Sequence, residues 1–138
     1  MLVMQLGKGT NMTNYQEYTV RVHKDYTEYL NKDGELHRLE GPAIEWSNGT
    51  KGWYVNGKRH RTDGPAFDWG SGSKGWYVDN KPHRLDGPAF EWSSGYKEWY
   101  VEGKCLTEQQ FKALTSKPKC SGKIVEIDGI KYQLKEVK

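Results

Sequence analysis

Between Tyr18 and Leu106, apolar and polar residues alternate with period two in short runs separated by glycine-containing turns. Alternation of this kind predicts half-buried β-strands. Phe67 and Trp69 fall on one face, with Ala66 and Asp68 on the other. Trp53 and Val55 share a face that Tyr54 opposes. Two series of turns punctuate the runs. Asn56-Gly57, Asp79-Asn80 and Glu102-Gly103 are two-residue hairpin turns, and Asn-Gly is the strongest such signal. Asn48-Gly49, Ser71-Gly72 and Ser94-Gly95 form the second series. Pro42, Pro65 and Pro88 interrupt the longer strand of each unit. Proline cannot donate to the ladder, so each Gly-Pro marks a bend or bulge that re-phases the alternation.

The pattern repeats. His37, His60 and His83 are 23 residues apart, as are Trp46, Trp69 and Trp92, and Trp53, Trp76 and Trp99. Residues 37–59, 60–82 and 83–105 are identical at 12 of 23 positions: His-Arg, Gly-Pro-Ala, Trp, Gly, Lys, Trp-Tyr-Val and Lys. A degenerate half unit precedes them. In it Val22 stands for Trp46, Tyr29 for Trp53 and Asp33-Gly34 for Asn56-Gly57, with one residue inserted near Asn31. Each unit supplies two strands of a meander, and the array spans 18–106.

A unit of this length, with paired aromatics, a hairpin Asn-Gly, Lys-x-His and a following glycine, resembles the MORN repeat. The resemblance implies β-hairpins laid side by side in one elongated, twisted antiparallel sheet. Where the usual repeat has Gly-x-Gly after the histidine, this chain has Arg-x-acid-Gly-Pro-Ala, a variant similar to units in uncharacterised phage and bacterial proteins. The resemblance speaks for fold more than for function, because such repeats scaffold unrelated partners.

The flanks read differently. Residues 1–17 are expected to be a flexible leader, with Met12 a second candidate start. Residues 107–138 are expected to cap the array. Thr107 and Gln110 fit a capping box, and Leu106 and Phe111 fit the staple around it. A helix from about 108 to 116 ends before Pro118. A last hairpin then turns at Asp128-Gly129, with Ile127 opposite Ile130, Val125 opposite Tyr132 and Glu126 opposite Lys131.

Composition changes the picture in one respect. Six Trp and nine Tyr stand in for scarce aliphatics, so the aromatic rows must themselves serve as core. The net charge is +3, and it resides in 107–138, since 29–106 hold as many acids as bases. A neutral repeat body disfavours DNA or RNA binding by counterion release. No apolar run reaches membrane-spanning length, and the N-terminus lacks a basic start to a secretory signal. The expected location is cytoplasmic, the host cytoplasm if the chain is phage-encoded. Cys105 and Cys120 lack metal-ligand spacing; they could pair, but two reduced thiols are the plainer reading.

Candidate chemistry follows the frame. Equivalent residues lie two strands apart, about 9.6 Å, so His37, His60 and His83 cannot share a zinc ion. Each imidazole is expected to pack on an indole with its nitrogens bonded to backbone. Arg38, Arg61 and Arg84 each precede an acid by two (Glu40, Asp63, Asp86), and a turn ion pair is the ordinary explanation. The rival reading is an arginine row that receives a phosphate or carboxylate. Glu45, Asp68 and Glu91 are expected to pair across strands with Lys51, Lys74 and Lys97. A single-layer sheet leaves one face open, expected to be that of Tyr54, Tyr77 and Tyr100. No catalytic constellation and no cofactor motif appears. The function this implies is non-enzymatic binding, with a protein partner foremost, as in a small phage-type accessory protein that blocks a host protein. Candidate contact residues are Arg38, Arg61, Arg84, Tyr54, Tyr77, Tyr100, Trp53 and Trp76. The alternatives are sequestration of a nucleotide-like anion by Trp and Arg, and a membrane-surface adaptor. Sheet edges offer a route to homo-oligomers.

Overall fold

The computed structural model describes residues 17–116 and the strand segments 124–127 and 130–133. The leader expected over 1–17 lies outside these residues except for Glu17, as does the Asp128-Gly129 turn. The strands are β1 (Thr19–Val22), β2 (Tyr26–Leu30), β3 (Ile44–Trp46), β4 (Lys51–Gly52), β5 (Tyr54–Val55), β6 (Lys58–Arg59), β7 (Phe67–Asp68) and β8 (Lys74–Gly75). They continue as β9 (Tyr77–Val78), β10 (Lys81–Pro82), β11 (Phe90–Glu91), β12 (Lys97–Val101) and β13 (Lys104–Leu106). Helix α1 (Glu108–Thr115) and strands β14 (Ile124–Ile127) and β15 (Ile130–Gln133) complete the order.

Nine strands form one open antiparallel sheet in the order β1-β2-β3-β4-β7-β8-β11-β12-β13. The pairs β5-β6 and β9-β10 are the far ends of the same hairpins, paired in their own ladders. The long strands break at Trp53 and Trp76, yet the backbone rungs continue: Trp53 N–H donates to Ala66 and Trp76 N–H to Ala89, each at 2.8 Å. The result is the expected meander of short hairpins, cut into more pieces than simple alternation suggests.

Both turn series form as read. Asn56 and Gly57 have φ of +48° and +72°, Asp79 and Asn80 +49° and +66°, and Glu102 and Gly103 +51° and +81°. Positive φ at both central residues is the type I′ signature, whose twist matches that of the flanking strands. In the second series Gly49, Gly72 and Gly95 donate back to Trp46, Trp69 and Trp92. The residue after each of the first two glycines links the units. Thr50 Oγ1 accepts from Gly70 N–H and Ser73 Oγ from Ser93 N–H, both at 3.0 Å.

At the C-terminal end the capping box is present: Gln110 N–H donates to Thr107 Oγ1, and Thr107 N–H to Gln110 Oε1. The helix packs beside β12 and β13 and buries Phe111. Strands β14 and β15 pair in the expected register, Ile127 opposite Ile130, Val125 opposite Tyr132 and Glu126 opposite Lys131.

Candidate functional site: the two faces of the sheet

The strand register divides the candidate residues between two faces. On one face lie Trp53 and Trp76, with Tyr29 in the degenerate unit. Here the Arg-x-acid-Gly-Pro loops fold back over the rings. The guanidinium carbon of Arg38 sits 3.9 Å from the centre of Tyr29, that of Arg61 4.2 Å from Trp53, and that of Arg84 3.9 Å from Trp76. The same loop fixes the guanidinium edges. Arg61 Nε donates to Asp63 at 2.8 Å and Arg84 Nε to Asp86 at 2.7 Å. The Nη1 atoms of Arg38, Arg61 and Arg84 donate to the carbonyls of Pro42, Pro65 and Pro88. A Cβ at Gly64 would stand 2.9 Å from the Arg61 guanidinium, so the loop backbone closes directly over the cation. The recurring Arg, acid, Gly and Pro are thus one clamp, and the turn ion pair holds for Arg61 and Arg84. Arg38 differs: its partner is Glu45 at 3.4 Å, not Glu40. The guanidinium beside each of Asp63 and Asp86 holds its carboxyl below the usual range.

The histidines do not take the indoles, which the arginines occupy. They reach instead to the type I′ turn that closes the same 23-residue unit. His37 Nδ1 accepts from Asn56 N–H and His83 Nδ1 from Glu102 N–H, both at 3.0 Å. His60 Nδ1 meets the Asp79 carboxylate, also at 3.0 Å. Glu45 and Lys51, Asp68 and Lys74, and Glu91 and Lys97 stand directly opposite each other across the strands. Glu91 also accepts from Arg84 at 2.9 Å.

The opposite face carries Tyr54, Tyr77 and Tyr100, expected to be its exposed residues. They are not. Tyr77 is buried, and Tyr54 and Tyr100 are half-buried. The reason is that the Phe and Trp residues of the longer strands share this face. Trp46, Phe67, Trp69, Trp92 and Phe90 form a continuous chain of ring contacts with centroids 4.7 to 5.8 Å apart. Tyr77 and Tyr100 abut Phe90 edge-on at 87° and 85°. Burial pushes the Tyr77 phenol up, and the Arg59 guanidinium beside it draws it part of the way back. The Tyr100 phenol is pushed up to about 12, chiefly by the Cys105 thiol beside it and then by burial and Glu98. Cys105 is an exposed free thiol.

What this face leaves to solvent is at its C-terminal end, where Trp92 is 37% and Tyr96 64% exposed. Neither was among the candidates. Tyr96 occupies the position of Thr50 and Ser73, and a ring in place of a linking hydroxyl was the available signal. Glu98, the one non-glycine at its position in the three full units, accepts from Trp92 Nε1 at 2.8 Å and from the Tyr100 hydroxyl at 3.1 Å.

A cavity of about 740 Å³ opens at the N-terminal end, lined by Tyr18, Asn31, His37 and Asn56 with Glu17, Lys32, Asp33 and Glu35. None of the candidate residues reaches it, and its three carboxylates to one lysine suit it poorly to an anion. Among the described residues no three His, Cys, Asp or Glu side chains gather as a metal site, and no helix is long and apolar enough to cross a membrane. Compared with known proteins, the chain matches no family model, and no curated protein or solved structure is significantly similar to it.

Proposed function

We propose that this chain is a non-enzymatic, MORN-like binding protein whose aromatic face engages a protein partner. The role that fits is a small phage-type accessory protein that binds and blocks a host protein. One contrast supports the reading. On the indole face an arginine covers each of Tyr29, Trp53 and Trp76, whereas the opposite face carries a contiguous ring row with Trp92 exposed at its C-terminal end and Tyr96 exposed in the adjoining turn. Exposed, clustered aromatics bury much area at little entropic cost, which makes them effective anchors at protein interfaces. Sequestration of a nucleotide-like anion is the weaker reading. Inside the clamp Arg61 and Arg84 already spend two nitrogens and a planar face each, and Arg38 one nitrogen and a planar face.

The test is affinity capture from bacterial lysate with the wild type and three variants. Tyr96→Ala should weaken capture while melting changes little, since that ring is largely exposed; adding Trp92→Ala should lose the captured protein at some cost in melting, since that ring also stacks on Trp69 and Phe90 and bonds Glu98. Lys74→Ala, on the clamped face, should retain it. Retention by the Trp92/Tyr96 variant, or loss only in the Lys74 variant, would place the interface elsewhere.

A further inference from the structure

Arg59 breaks the repeat. Its equivalents are Leu36, Pro82 and Cys105, so nothing periodic in the sheet calls for a cation there. It lies in the middle of the array, opposite Tyr54 in the β5-β6 ladder. Its Nε donates to the Tyr54 hydroxyl at 3.3 Å. Its guanidinium carbon is 5.2 Å from the centre of the Tyr77 ring and 5.6 Å from that of Phe67. The chain thus holds a half-buried cation on its aromatic face.

Every other arginine described has a carboxylate: Arg21 has Glu28, Arg38 has Glu45, Arg61 has Asp63, and Arg84 has Asp86 and Glu91. Arg59 has none among the described residues. The carboxylates of its own face are committed, Glu28 to Arg21 and His23, and Glu98 to Trp92 and Tyr100. Proton loss does not relieve the charge, because the hydrogen bond to Tyr54 holds the guanidinium more firmly protonated still.

The two phenols beside the guanidinium keep O–H donors of their own. Tyr54 accepts from Arg59, which leaves its own O–H to donate outward. Burial keeps the Tyr77 phenol protonated beside the same guanidinium. Guanidinium matches a carboxylate in two parallel hydrogen bonds, and neighbouring rings that exclude water strengthen the attraction. We propose that Arg59, with Tyr54 and Tyr77, is a carboxylate-recognition point on the aromatic face, and that the protein partner presents there an Asp or Glu side chain flanked by apolar residues. The inference rests on the protein-partner reading and adds the chemistry of the segment that docks.

Chemical-shift titration of the isotope-labelled full chain tests it. The probes are two blocked peptides, acetyl-Leu-Trp-Glu-Leu-amide and its Gln counterpart, with inorganic phosphate as a third. The Glu peptide should shift the Arg59 Nε–H and the indoles of Trp46 and Trp69, and bind about tenfold more tightly than the Gln peptide, as expected for a charged hydrogen-bond partner. Arg59→Gln should erase that preference, and Arg59→Lys should keep part of it. If Arg59→Gln does not fold, Tyr54→Phe, which keeps the ring and drops the hydroxyl, should weaken the Glu peptide selectively. Equal binding of both peptides would overturn the carboxylate point and leave the protein-binding face standing. No shift with either peptide, or a Glu preference that survives Arg59→Gln, also overturns it. Phosphate acting as tightly as the Glu peptide would show a bare anion site and overturn the apolar-flanked partner. Failure of the protein-partner reading itself is read separately, from the Trp92/Tyr96 capture experiment.

Discussion

At the residue scale the guanidinium is the unit from which the indole face is built. One Arg84 side chain stacks on Trp76, bonds Asp86 through Nε and reaches the Pro88 carbonyl and Glu91 through Nη1. A planar fork can satisfy all of these at once, and an ammonium cannot. Arg84→Lys should therefore cost about 2 kcal/mol despite keeping the charge, from lost stacking and lost charged hydrogen bonds; thermal unfolding measures it. A loss within error of zero would mean that the clamp follows the fold without supporting it. The partner aspartates give the same clamp a pH signature. Their folded pKa values are depressed, first of all by the hydrogen bond from the arginine. A depressed carboxyl contributes stability above its unfolded value, near 4, and that contribution disappears as pH falls through the folded value. Asp63→Asn with Asp86→Asn should melt below the wild type at pH 7, and the gap should narrow progressively at pH below about 4. Both carboxylates are exposed, so the effect is that of a screened surface pair. A gap that stays constant with pH would assign the loss to something other than the carboxyl charge.

At the element scale, glycine placement decides how the aromatic face packs. Gly75 stands opposite Phe90 in the β8-β11 ladder. A Cβ there would meet the Tyr77 ring at 3.0 Å and the Phe90 and Trp69 rings at 3.2 Å, so three rings lean into the space a side chain would fill. Gly75→Ala should cost about 2 kcal/mol as an overpacked site and displace the Tyr77 ring; denaturant unfolding and the Tyr77 ring shifts would report it. This packing explains what was readable in the sequence and what was not. The 23-residue period, both turn series, the capping box and the register of the last hairpin are local facts, carried by residues whose backbone demands are specific, such as Asn56-Gly57 or Thr107 with Gln110. The parity of each strand was also legible, and Tyr54 does oppose Trp53. Which face stays open was not, because parity says which residues share a face and nothing about what covers it. The arginine loops cover the indoles from outside the strands, through contacts that alternation does not encode. The glycines between the tyrosines then let those rings sink into a layer where exposure had been expected. Arg59 escaped notice for the opposite reason: a position that differs in every unit carries no periodic signal.

At the scale of the whole molecule, the array must stop. Each unit turns the backbone N–H of its arginine onto its own hairpin: Arg38 donates to the Tyr54 carbonyl, Arg61 to that of Tyr77 and Arg84 to that of Tyr100, at 3.0 to 3.1 Å. The fourth position in that series is Thr107, and its N–H turns inward to Gln110 Oε1 at 2.9 Å. The capping box that starts α1 thus consumes the donor that a fifth hairpin would have taken, and the helix begins where a fourth arginine clamp would fall. An open sheet edge is a template for another chain, and covering it with a helix is one of the devices that blunt it. Replacing the box, as Thr107→Ala with Gln110→Leu, should have two effects that separate by concentration. The helix start should weaken by about 1–2 kcal/mol, a loss independent of protein concentration. The released Thr107 N–H and loosened helix should also expose the end of β13, so the average mass in sedimentation equilibrium should climb with concentration more steeply than that of the wild type. Edge pairing adds strands end to end and has no closed state, so the larger species should form a series without a single preferred size. A variant that melts earlier but sediments like the wild type at every concentration would reduce the box to an ordinary helix cap and put the control of sheet length elsewhere in the chain.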